Sequence, residues 1–215
     1  YEYVLTTAYD ISTATLNNTK TVHVTGTHGN GDTFHPHQVV FNNDGTKMFI
    51  ADHNGDDINY WSLTTAFDVS TASLDGLYDV SSKEVRVNSV AFNNDGTKMY
   101  TTQYDKTGGG LQADNVYEYV LTTAYDISTA TLNNTKTVHV TGTHGNGDTL
   151  IPTQVVFNND GTKMFIADHG SDDINYWSLT TAFDISTASL DGLYDVSSKE
   201  VRVISVAFNN DGTRL

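Results

Sequence analysis

The sequence repeats itself, and this repetition constrains the fold more than any other feature. The segment FNNDGTKMF at 41–49 returns as FNNDGTKMY at 92–100, as FNNDGTKMF at 157–165 and as FNNDGTRL at 208–215. Residues 1–99 align without a gap with residues 117–215, and only nine of these 99 positions differ. Folding does not require such identity, because cores tolerate many volume-conserving substitutions. The two halves therefore indicate a recent duplication.

Each half itself contains two related units. The tetrapeptide LTTA begins at Leu5, Leu63, Leu121 and Leu179, which gives a constant spacing of 58 residues. The Phe of FNNDG recurs at spacings of 51, 65 and 51, so two subtypes of unit alternate and differ in their loops. We treat 1–215 as one repeat domain with super-repeats 1–116 and 117–215. The units are 1–40 (partial), 41–91, 92–156, 157–207 and 208–215 (incomplete).

Four short strands are predicted in each unit. They are QVVF (38–41), TKMFIA (46–51), INYWSL (58–63) and either GLYDVSS (76–82) or, in the other subtype, KTVHVTG (20–26). NNDG is predicted to be a hairpin turn, because Asn, Asp and Gly accept positive φ. After the third strand, Asp68 and Ser70 are expected to cap backbone amides. Sustained helical periodicity is missing, so we expect no long helices.

Small four-stranded units in tandem are typical of β-propellers. The predicted fold class is all-β, a β-propeller-like array of four repeats with about four four-stranded blades of two alternating subtypes. A single blade cannot bury its own faces, so apolar residues on one face should pack between blades. Val39 and Phe41 share such a face, as do Val90 and Phe92.

The charge of the chain excludes several partners. It carries 26 acidic and 11 basic residues, a net charge of −15, so nucleic acid and anionic membranes would be repelled. Its apolar runs are too short to insert into a bilayer. The chain contains no Cys, so the redox compartment cannot be inferred.

The motif F-N-x-D-G-T-K-M-F/Y, followed by Y-x-L-T-T-A-F/Y-D-I/V-S-T-A, resembles tandem propeller-type repeats of bacterial, phage and environmental surface proteins. Its F-x-x-D-G-x-K core is similar to that of lactonase-like and NHL-like propellers. The four copies cover essentially the whole chain. The motif is specific for the type of repeat and weak for any activity. The resemblance implies scaffold, surface or adhesive roles more than catalysis.

One segment has the spacing of a calcium loop. DHNGDD places Asp52, Asn54 and Asp56 at alternate positions, where a loop can wrap oxygen ligands around calcium. In the second half Gly170 replaces Asn54, and a closing Glu is missing. A polar hairpin turn is the alternative interpretation. We expect no cofactor, with calcium as the alternative.

Histidines cluster in the first half. His35 and His37 form a His-x-His pair that can chelate zinc on a strand, with His23, His28 or His53 as a third ligand. The second half has Ile151 and Thr153 instead of the pair. We interpret this difference as drift in an exposed loop and expect no tightly bound transition metal.

Motifs for catalysis are not found. KTGGGLQAD at 106–114 lacks the G-K-S/T of a phosphate loop, and the chain has no G-x-S-x-G elbow. We therefore predict no catalytic residue set and no enzyme.

Two surface features are compatible with glycans. Tyr60–Trp61 and Tyr176–Trp177 each place one aromatic ring outward on an alternating strand, either as plain surface or as a platform for a sugar. Asn17 and Asn133 begin N-x-T sequons and would carry glycans if the chain is exported to such machinery.

Three functions remain open at this point. The preferred one is a non-enzymatic structural or adhesive protein, outside the cell or on a cell or virion surface, as a segment or subunit of a filament, appendage or virion. The alternatives are a lectin-like carbohydrate-binding propeller and a lactonase-like propeller hydrolase.

The repeat count predicts self-association. Two super-repeats need 2 × 116 = 232 residues, and 232 − 215 = 17 are absent, the equivalents of 100–116. We expect a longer repetitive polymer, or a broken blade that the next subunit completes head-to-tail by strand addition. The alternative is one ring closed by pairing the N-terminal strand with the C-terminal blade.

Overall fold

The computed structural model describes residues 1–18, 35–84, 86–103, 115–139, 151–199 and 202–215, and all statements below concern these residues. The predicted strand 20–26, the Gly-rich segment 106–114, His23 and His28 lie outside them.

The described residues form fourteen strands in four antiparallel sheets. The first sheet is a hairpin of β1 (Tyr3–Leu5) and β2 (Ala14–Leu16). Blade A contains β3 (Pro36–Phe41), β4 (Lys47–Asp52), β5 (Asp57–Leu63) and β6 (Ala72–Asp79). Blade B contains β7 (Val87–Phe92), β8 (Lys98–Gln103), β9 (Asn115–Leu121) and β10 (Ala130–His139). Blade C contains β11 (Pro152–Phe157), β12 (Lys163–Asp168), β13 (Asp173–Leu179) and β14 (Ala188–Asp195).

In each blade the four strands pair in sequence order, as in a propeller blade. The first strands of successive blades contact one another and line a common axis. The predicted fold class, an all-β propeller-like array, is confirmed. The blades begin with the strand before FNNDG, so the repeat boundaries at 41, 92 and 157 cut through the structural units.

The NNDG segments are tight turns at equivalent positions, as predicted. In blade A the amide of Gly45 donates to the carbonyl of Asn42 at 3.0 Å, and the amide of Thr46 donates to Asp44 Oδ1 at 3.0 Å. Gly45 has a φ of +71°, which glycine adopts without strain. The same bonds recur at 93–97, 158–162 and 209–213.

An aromatic ring lies on the turn glycine of each complete blade, a contact we call the ring lock. A Cβ atom on Gly45 would lie 2.4 Å from the ring of Phe67, so only glycine fits. The amide of Phe67 donates to the carbonyl of Gly45 at 2.9 Å. Tyr125 covers Gly96 and Phe183 covers Gly161 in the same way. The lock joins the turn between the first two strands to the turn between the last two.

The turn after LTTA forms a short 3-10 helix in every unit. These helices are Ile11–Thr13, Val69–Thr71, Ile127–Thr129 and Ile185–Thr187. Asp68 caps its helix by accepting from the amide of Ser70 at 3.0 Å, which confirms the predicted cap. Ser70 itself is the capped residue, and its hydroxyl donates to the same carboxylate.

Successive blades are joined by three repeated contacts. An aromatic residue of the second strand packs on the first-strand Phe of the next blade, with ring centroids 4.6 Å apart for Phe49–Phe92, Tyr100–Phe157 and Phe165–Phe208. Gln38 Oε1 accepts from the amide of Val90 at 2.8 Å. In addition, the second Asn of each of the first three NNDG turns donates its side-chain amide to the carbonyl of its counterpart in the next unit. The members of this asparagine ladder are Asn43, Asn94, Asn159 and Asn210.

Burial depends on whether a neighbouring blade is present. Val90 and Val155 are fully buried between blades, as expected for this strand position. Val39, at the equivalent position of blade A, is 54% exposed. The prediction for Val39 is therefore wrong, because no described blade covers that face of β3.

The fourth repeat is divided between the two ends of the described structure. β1 pairs with β2 alone within the described residues, and the segment 202–215 has no assigned strand. Three complete blades are thus present instead of about four. The alternative of a ring closed by the two termini is not what this structure adopts. Within the described residues, no helix has the length and apolarity needed to cross a membrane.

Candidate functional site

A cavity of about 230 Å³ lies on the axis at the end where the first strands begin. Each first strand, or the segment after blade C, contributes the residue at the same position. We call this cavity the axial pocket, and its lining residues are His37, His53, Asn88, Ile151, Thr153, His169 and Ile204. Propellers bring these residues together because equivalent strand positions surround one axis.

The differences between the two halves concentrate around this pocket. The nine differing positions are 34, 35, 37, 54, 55, 69, 88, 98 and 99. Positions 35, 37 and 88 and their second-half counterparts provide five of the lining residues. Positions 54 and 55 follow His53 in its turn. Drift in an exposed loop does not explain this grouping, since positions 37 and 88 lie far apart in sequence and meet only at the axis.

Three imidazoles lie together at one side of the pocket, and two of them, those of His37 and His53, line it. The rings of His37 and His53 stack with centroids 4.9 Å apart and planes 18° from parallel. His35 lies beside them, 5.8 Å from His53 and 6.3 Å from His37. His35 and His37 come from the start of β3, and His53 from the turn after β4. That turn is held there by the amide of His53, which donates to the carbonyl of His35 at 3.1 Å.

Asn88 on β7 of blade B orients this wall. Its side-chain Nδ2 donates to the carbonyl of Pro152 at 3.0 Å, which turns Oδ1 toward blade A. Asn88 Oδ1 lies 2.9 Å from His53 Nδ1. Because a carbonyl oxygen only accepts, His53 Nδ1 carries the proton and Nε2 is the basic nitrogen. Asn88 is 2% exposed, so a buried amide fixes the tautomer of His53.

Burial lowers the pKa of two imidazoles of the pocket. Desolvation lowers the pKa of His37 below its usual value of 6.5, and a hydrogen bond to the backbone of Asn88 works against this shift. Desolvation also lowers the pKa of His53, and the charges of His37 and Arg86 act in the same direction. Both rings are therefore bases at neutral pH, the state that a general base requires.

The opposite wall is largely apolar. Ile151 and Ile204 stand where the first half has His35 and Asn88. Thr153, the counterpart of His37, is buried, and its hydroxyl shares its one hydrogen between the carbonyls of Ala167 and Val203, which lie 3.1 and 3.2 Å away. His169 repeats His53 but faces Ile204 instead of an asparagine. One wall thus supplies bases, and the other supplies apolar contact.

The calcium candidates have other roles. Asp52 Oδ1 accepts hydrogen bonds from the backbone amides of His35 and Asn54 at 2.8 and 3.2 Å. It thereby connects the turn that contains His53 to the start of β3. The carboxylate of Asp56 accepts from the amide of Arg86. Within the described residues, no three His, Asp or Glu side chains are grouped so that they could hold a metal ion. Burial raises the pKa of Asp57, which faces Asp52, to about 7.

The aromatic sugar candidates are mostly core residues. Trp61 and Trp177 are 2% and 4% exposed, Tyr60 is buried, and Tyr176 is half-buried. Trp61 packs against Met48 and Ile50. The expectation that one ring of each pair faces outward is corrected: Tyr60 packs against residues of blade B, and Trp61 is covered by side chains of its own blade. A lectin-like function loses its proposed platform.

The two sequon asparagines occupy equivalent places. Asn17 follows β2 and donates its side-chain amide to Glu2 Oε1 at 3.2 Å. Asn133 lies in β10 and donates to Glu118 Oε1 at 3.3 Å. Both side chains are half-buried. Glycosylation at these positions stays a prediction.

Comparison with solved structures supports the fold. No family model matches the chain, and no curated protein matches it. The periplasmic gluconolactonase of Pseudomonas aeruginosa is similar over 83% of this chain and 45% of its own, with 15% identity and a TM-score of 0.59. A Bacteroides fragilis protein provisionally named a 6-phosphogluconolactonase is similar over 79% and 40%, with 16% identity and a TM-score of 0.51. Kuenenia stuttgartiensis hydrazine synthase is similar over 89% and 44%, with 17% identity and a TM-score of 0.55.

These neighbours overturn the prediction that the chain is not an enzyme. Propellers of the gluconolactonase type are among the structures it resembles, whereas nothing supports a filament or an adhesin. Identities of 15 to 17% establish the fold alone. The chain also spans less than half the length of these structures, so its reaction is treated as a proposal. The resemblance to tandem surface-protein repeats stays a prediction.

Sequence reasoning noticed His35, His37 and His53 but missed Asn88. Asn88 sits in the strand segment VNSVAF, where a buried amide leaves no local signature. The signal was available in the comparison of the two halves, because position 88 is one of only nine that differ.

Proposed function

We propose that the axial pocket hydrolyses a small, uncharged lactone. The observation that carries this proposal is the stacked pair of imidazoles of His37 and His53 beside Asn88, whose pKa values are lowered by burial. His37 and Asn88 occupy positions where the two halves diverge. The propeller fold shared with gluconolactonases supports the same reaction class.

The proposed chemistry is general-base catalysis. One imidazole, which we assign to His53 through Nε2, accepts a proton from water as the water oxygen attacks the lactone carbonyl. The tetrahedral intermediate then collapses with cleavage of the ring C–O bond. The imidazolium returns its proton to the departing ring oxygen, which yields a hydroxy acid and the neutral histidine. His37 stacks on His53 and keeps the ring in position.

The negative charge of the protein favours the hydrolysis of a neutral lactone to an anionic product. The substrate is neutral, and the product is a carboxylate that leaves a protein with a net charge of −15. For the same reason we expect an uncharged lactone to be preferred over a phosphorylated one. The pocket, at about 230 Å³, lies below the range of drug-sized sites and suits a small ring.

The second half of the chain supplies the decisive control. The double variant His37→Thr/Asn88→Ile gives the first half the residues that the second half has at the equivalent positions, Thr153 and Ile204. The same scaffold therefore already accommodates both side chains. We expect the parent chain to hydrolyse gluconolactone faster than the buffer does. The variant should fold normally and lose that activity, as followed by acid release in a pH-stat with circular dichroism as the folding check. Hydrolysis by the parent at the buffer rate would refute the proposal.

We also propose an exported protein, in the periplasm or outside the cell. The support is the periplasmic location named for the Pseudomonas neighbour. Fractionation of cells that express the natural gene tests it, and recovery in the cytoplasm alone would refute it.

A further inference from the structure

The turn between β12 and β13 of blade C carries side-chain oxygens that are buried and have no hydrogen-bond partner. The turn runs from the end of β12 to the start of β13, residues 168–173. Within the described residues, Asp168 Oδ2, Ser171 Oγ and Asn175 Oδ1 are buried without a partner. Because native proteins rarely leave a buried polar atom unpaired, three in one turn point to a ligand that contacts them all.

Asp168 is held with one carboxylate oxygen in use and the other free. Its Oδ1 accepts hydrogen bonds from the backbone amides of Gly170 at 2.8 Å and Ile151 at 2.7 Å. The side chain is 0% exposed, and the ion pairs found among the described residues lie elsewhere. A buried negative oxygen of this kind is costly unless a positive group neutralises it.

A second carboxylate and an amide lie beside Asp168. Asp173 pairs with Asp168 across the two strands and is 2% exposed. Asn175 is 0% exposed, and its Nδ2 donates to Asp173 Oδ1 at 2.6 Å. Since Nδ2 and Oδ1 of an amide share one carbon, Asn175 Oδ1 lies next to the same carboxylate. Two carboxylates and one carbonyl oxygen, all of them acceptors, therefore meet in a buried space.

The equivalent turn of blade A shows that these oxygens converge. Gly55 stands there at the position of Ser171. A Cβ atom on Gly55 would lie 2.5 Å from Asp52 Oδ2 and 3.0 Å from Asp57 Oδ2. Both carboxylates of the turn thus face the point from which the side chain of Ser171 extends in blade C. The hydroxyl of Ser171 therefore enters the space between the two corresponding carboxylates.

We propose that this turn of blade C binds one calcium ion, with Asp168 Oδ2, Ser171 Oγ, Asn175 Oδ1 and the carboxylate of Asp173 as ligands. A set made only of oxygens suits a hard cation, and two carboxylates balance the two charges of calcium. Calcium is favoured over magnesium because its coordination is flexible, whereas magnesium keeps several of its waters. The set contains two acidic side chains and two neutral ones, so it differs from the groups of three acidic or histidine side chains that the described residues lack.

This site differs from the calcium loop that the spacing predicts in the first half. That loop relies on residues at alternate positions, whereas the structure groups residues on both sides of the turn. The first half also lacks the serine hydroxyl, and there only Asn59 Oδ1 is buried without a partner. We therefore expect the first half to bind calcium more weakly. The proposal does not rest on the hydrolysis of a lactone.

Isothermal titration of the metal-free chain with CaCl2 tests the site. We expect one ion per chain with a Kd of about 0.1–1 mM, in the range of weak calcium modules, and binding of MgCl2 that is about tenfold weaker. The midpoint of thermal unfolding should rise with CaCl2, because the ion binds only the folded turn. No saturable binding at about 10 mM CaCl2, or equal affinity for magnesium, would overturn the proposal.

Two substitutions remove ligands with little change of shape. Asp168→Asn keeps an oxygen for the amides of Gly170 and Ile151 but puts an NH2 group in place of Oδ2, so calcium binding should be lost. Ser171→Gly copies Gly55 of blade A and should weaken binding about tenfold. Circular dichroism without calcium checks that both variants are folded. Unchanged affinity in either folded variant would show that these side chains do not hold the ion.

The duplication also allows the site to be built a second time. Asn54→Gly/Gly55→Ser gives blade A the same turn sequence as blade C, and Asn59 is already present there. The titration should then show two ions per chain instead of one. A folded double variant that still binds one ion would contradict the role given to the serine hydroxyl.

Discussion

The two ends of the central axis are built from equivalent strand positions but differ in what the duplication preserved. At the turn end, the asparagine ladder and the ring locks have the same residue types in both halves. At the pocket end, the first half has His37 and Asn88 where the second has Thr153 and Ile204. Since both halves share one scaffold, the turn end serves the fold, and the pocket end is where the chain can vary.

The largest expected effect separates two histidines at equivalent positions of the pocket end. His53→Ala should lower kcat/KM for the lactone by about 100- to 10,000-fold, the usual contribution of a general base. His169→Ala should lower it by about tenfold or less, because His169 faces Ile204 and has no asparagine to fix its tautomer. Initial rates over a substrate series measure both. Equal losses would contradict the assignment of catalysis to the first half.

The second-largest expected effect is a loss of stability at the turn end. Gly96→Ala should destabilise the fold by about 2–4 kcal/mol, because it combines an unfavourable φ with a clash against the ring of Tyr125. In a Tyr125→Ala background the clash is gone, and the same substitution should cost only about 1 kcal/mol. Urea unfolding of the four proteins gives the coupling energy. Additive effects would show that the ring lock is not a real constraint.

Acid should affect the two ends at different pH values. The pKa values of His37 and His53 are lowered from 6.5, so kcat/KM should be flat above that pH and fall about tenfold per unit once the imidazoles protonate.

The turn end should survive to lower pH. Thr46 lowers the pKa of Asp44 from 3.8, and Asp95 and Asp160 are affected in the same way by Thr97 and Thr162. A depressed pKa contributes stability above the unfolded value of 3.8, which is lost as the pH falls through the folded value. Activity should therefore disappear while circular dichroism still reports folded protein. Simultaneous loss of both would contradict this separation.

The smallest expected effect is at the asparagine ladder. Asn94→Ala removes the hydrogen bond to the carbonyl of Asn159 and should cost about 0.5–1.5 kcal/mol. Asn94→Asp, which cannot donate, should cost a similar amount. Neither variant should change kcat/KM, since the pocket lies at the other end of the first strands. A fall in activity without a change in urea midpoint would contradict the division of the axis into two regions.

Local chemistry made much of the fold predictable. In the NNDG turn, Gly45 indicates a backbone with positive φ, and Asn42 and Asp44 indicate side chains that accept hydrogen bonds from backbone amides. Asp68 indicates the next turn in the same way. Strand alternation was less informative about exposure. Tyr60 and Trp61 point to opposite faces of one strand, and both are buried, Tyr60 against blade B and Trp61 against side chains of its own blade. Sequence pattern specifies which residues share a face but not whether that face meets water.

The pocket could not be predicted from spacing, since His53 and Asn88 lie on different blades. Their contact depends on the angle and stagger between blades, which no local pattern encodes. For the same reason, the sequence did not show that the fourth repeat forms no complete blade in this structure. The order of strands is visible in the sequence, whereas the curvature that decides whether four units close is a property of the packed interfaces.

The ring lock has a consequence for how such a gene can grow or shrink. Phe67 and Gly45 belong to the same blade, as do Tyr125 and Gly96. A recombination event that copies or deletes one 58-residue period therefore transfers a lock whole. The asparagine ladder and the aromatic stacking offer each inserted unit the partners its predecessor had. A change in the number of units therefore leaves every remaining turn glycine with the ring that covers it.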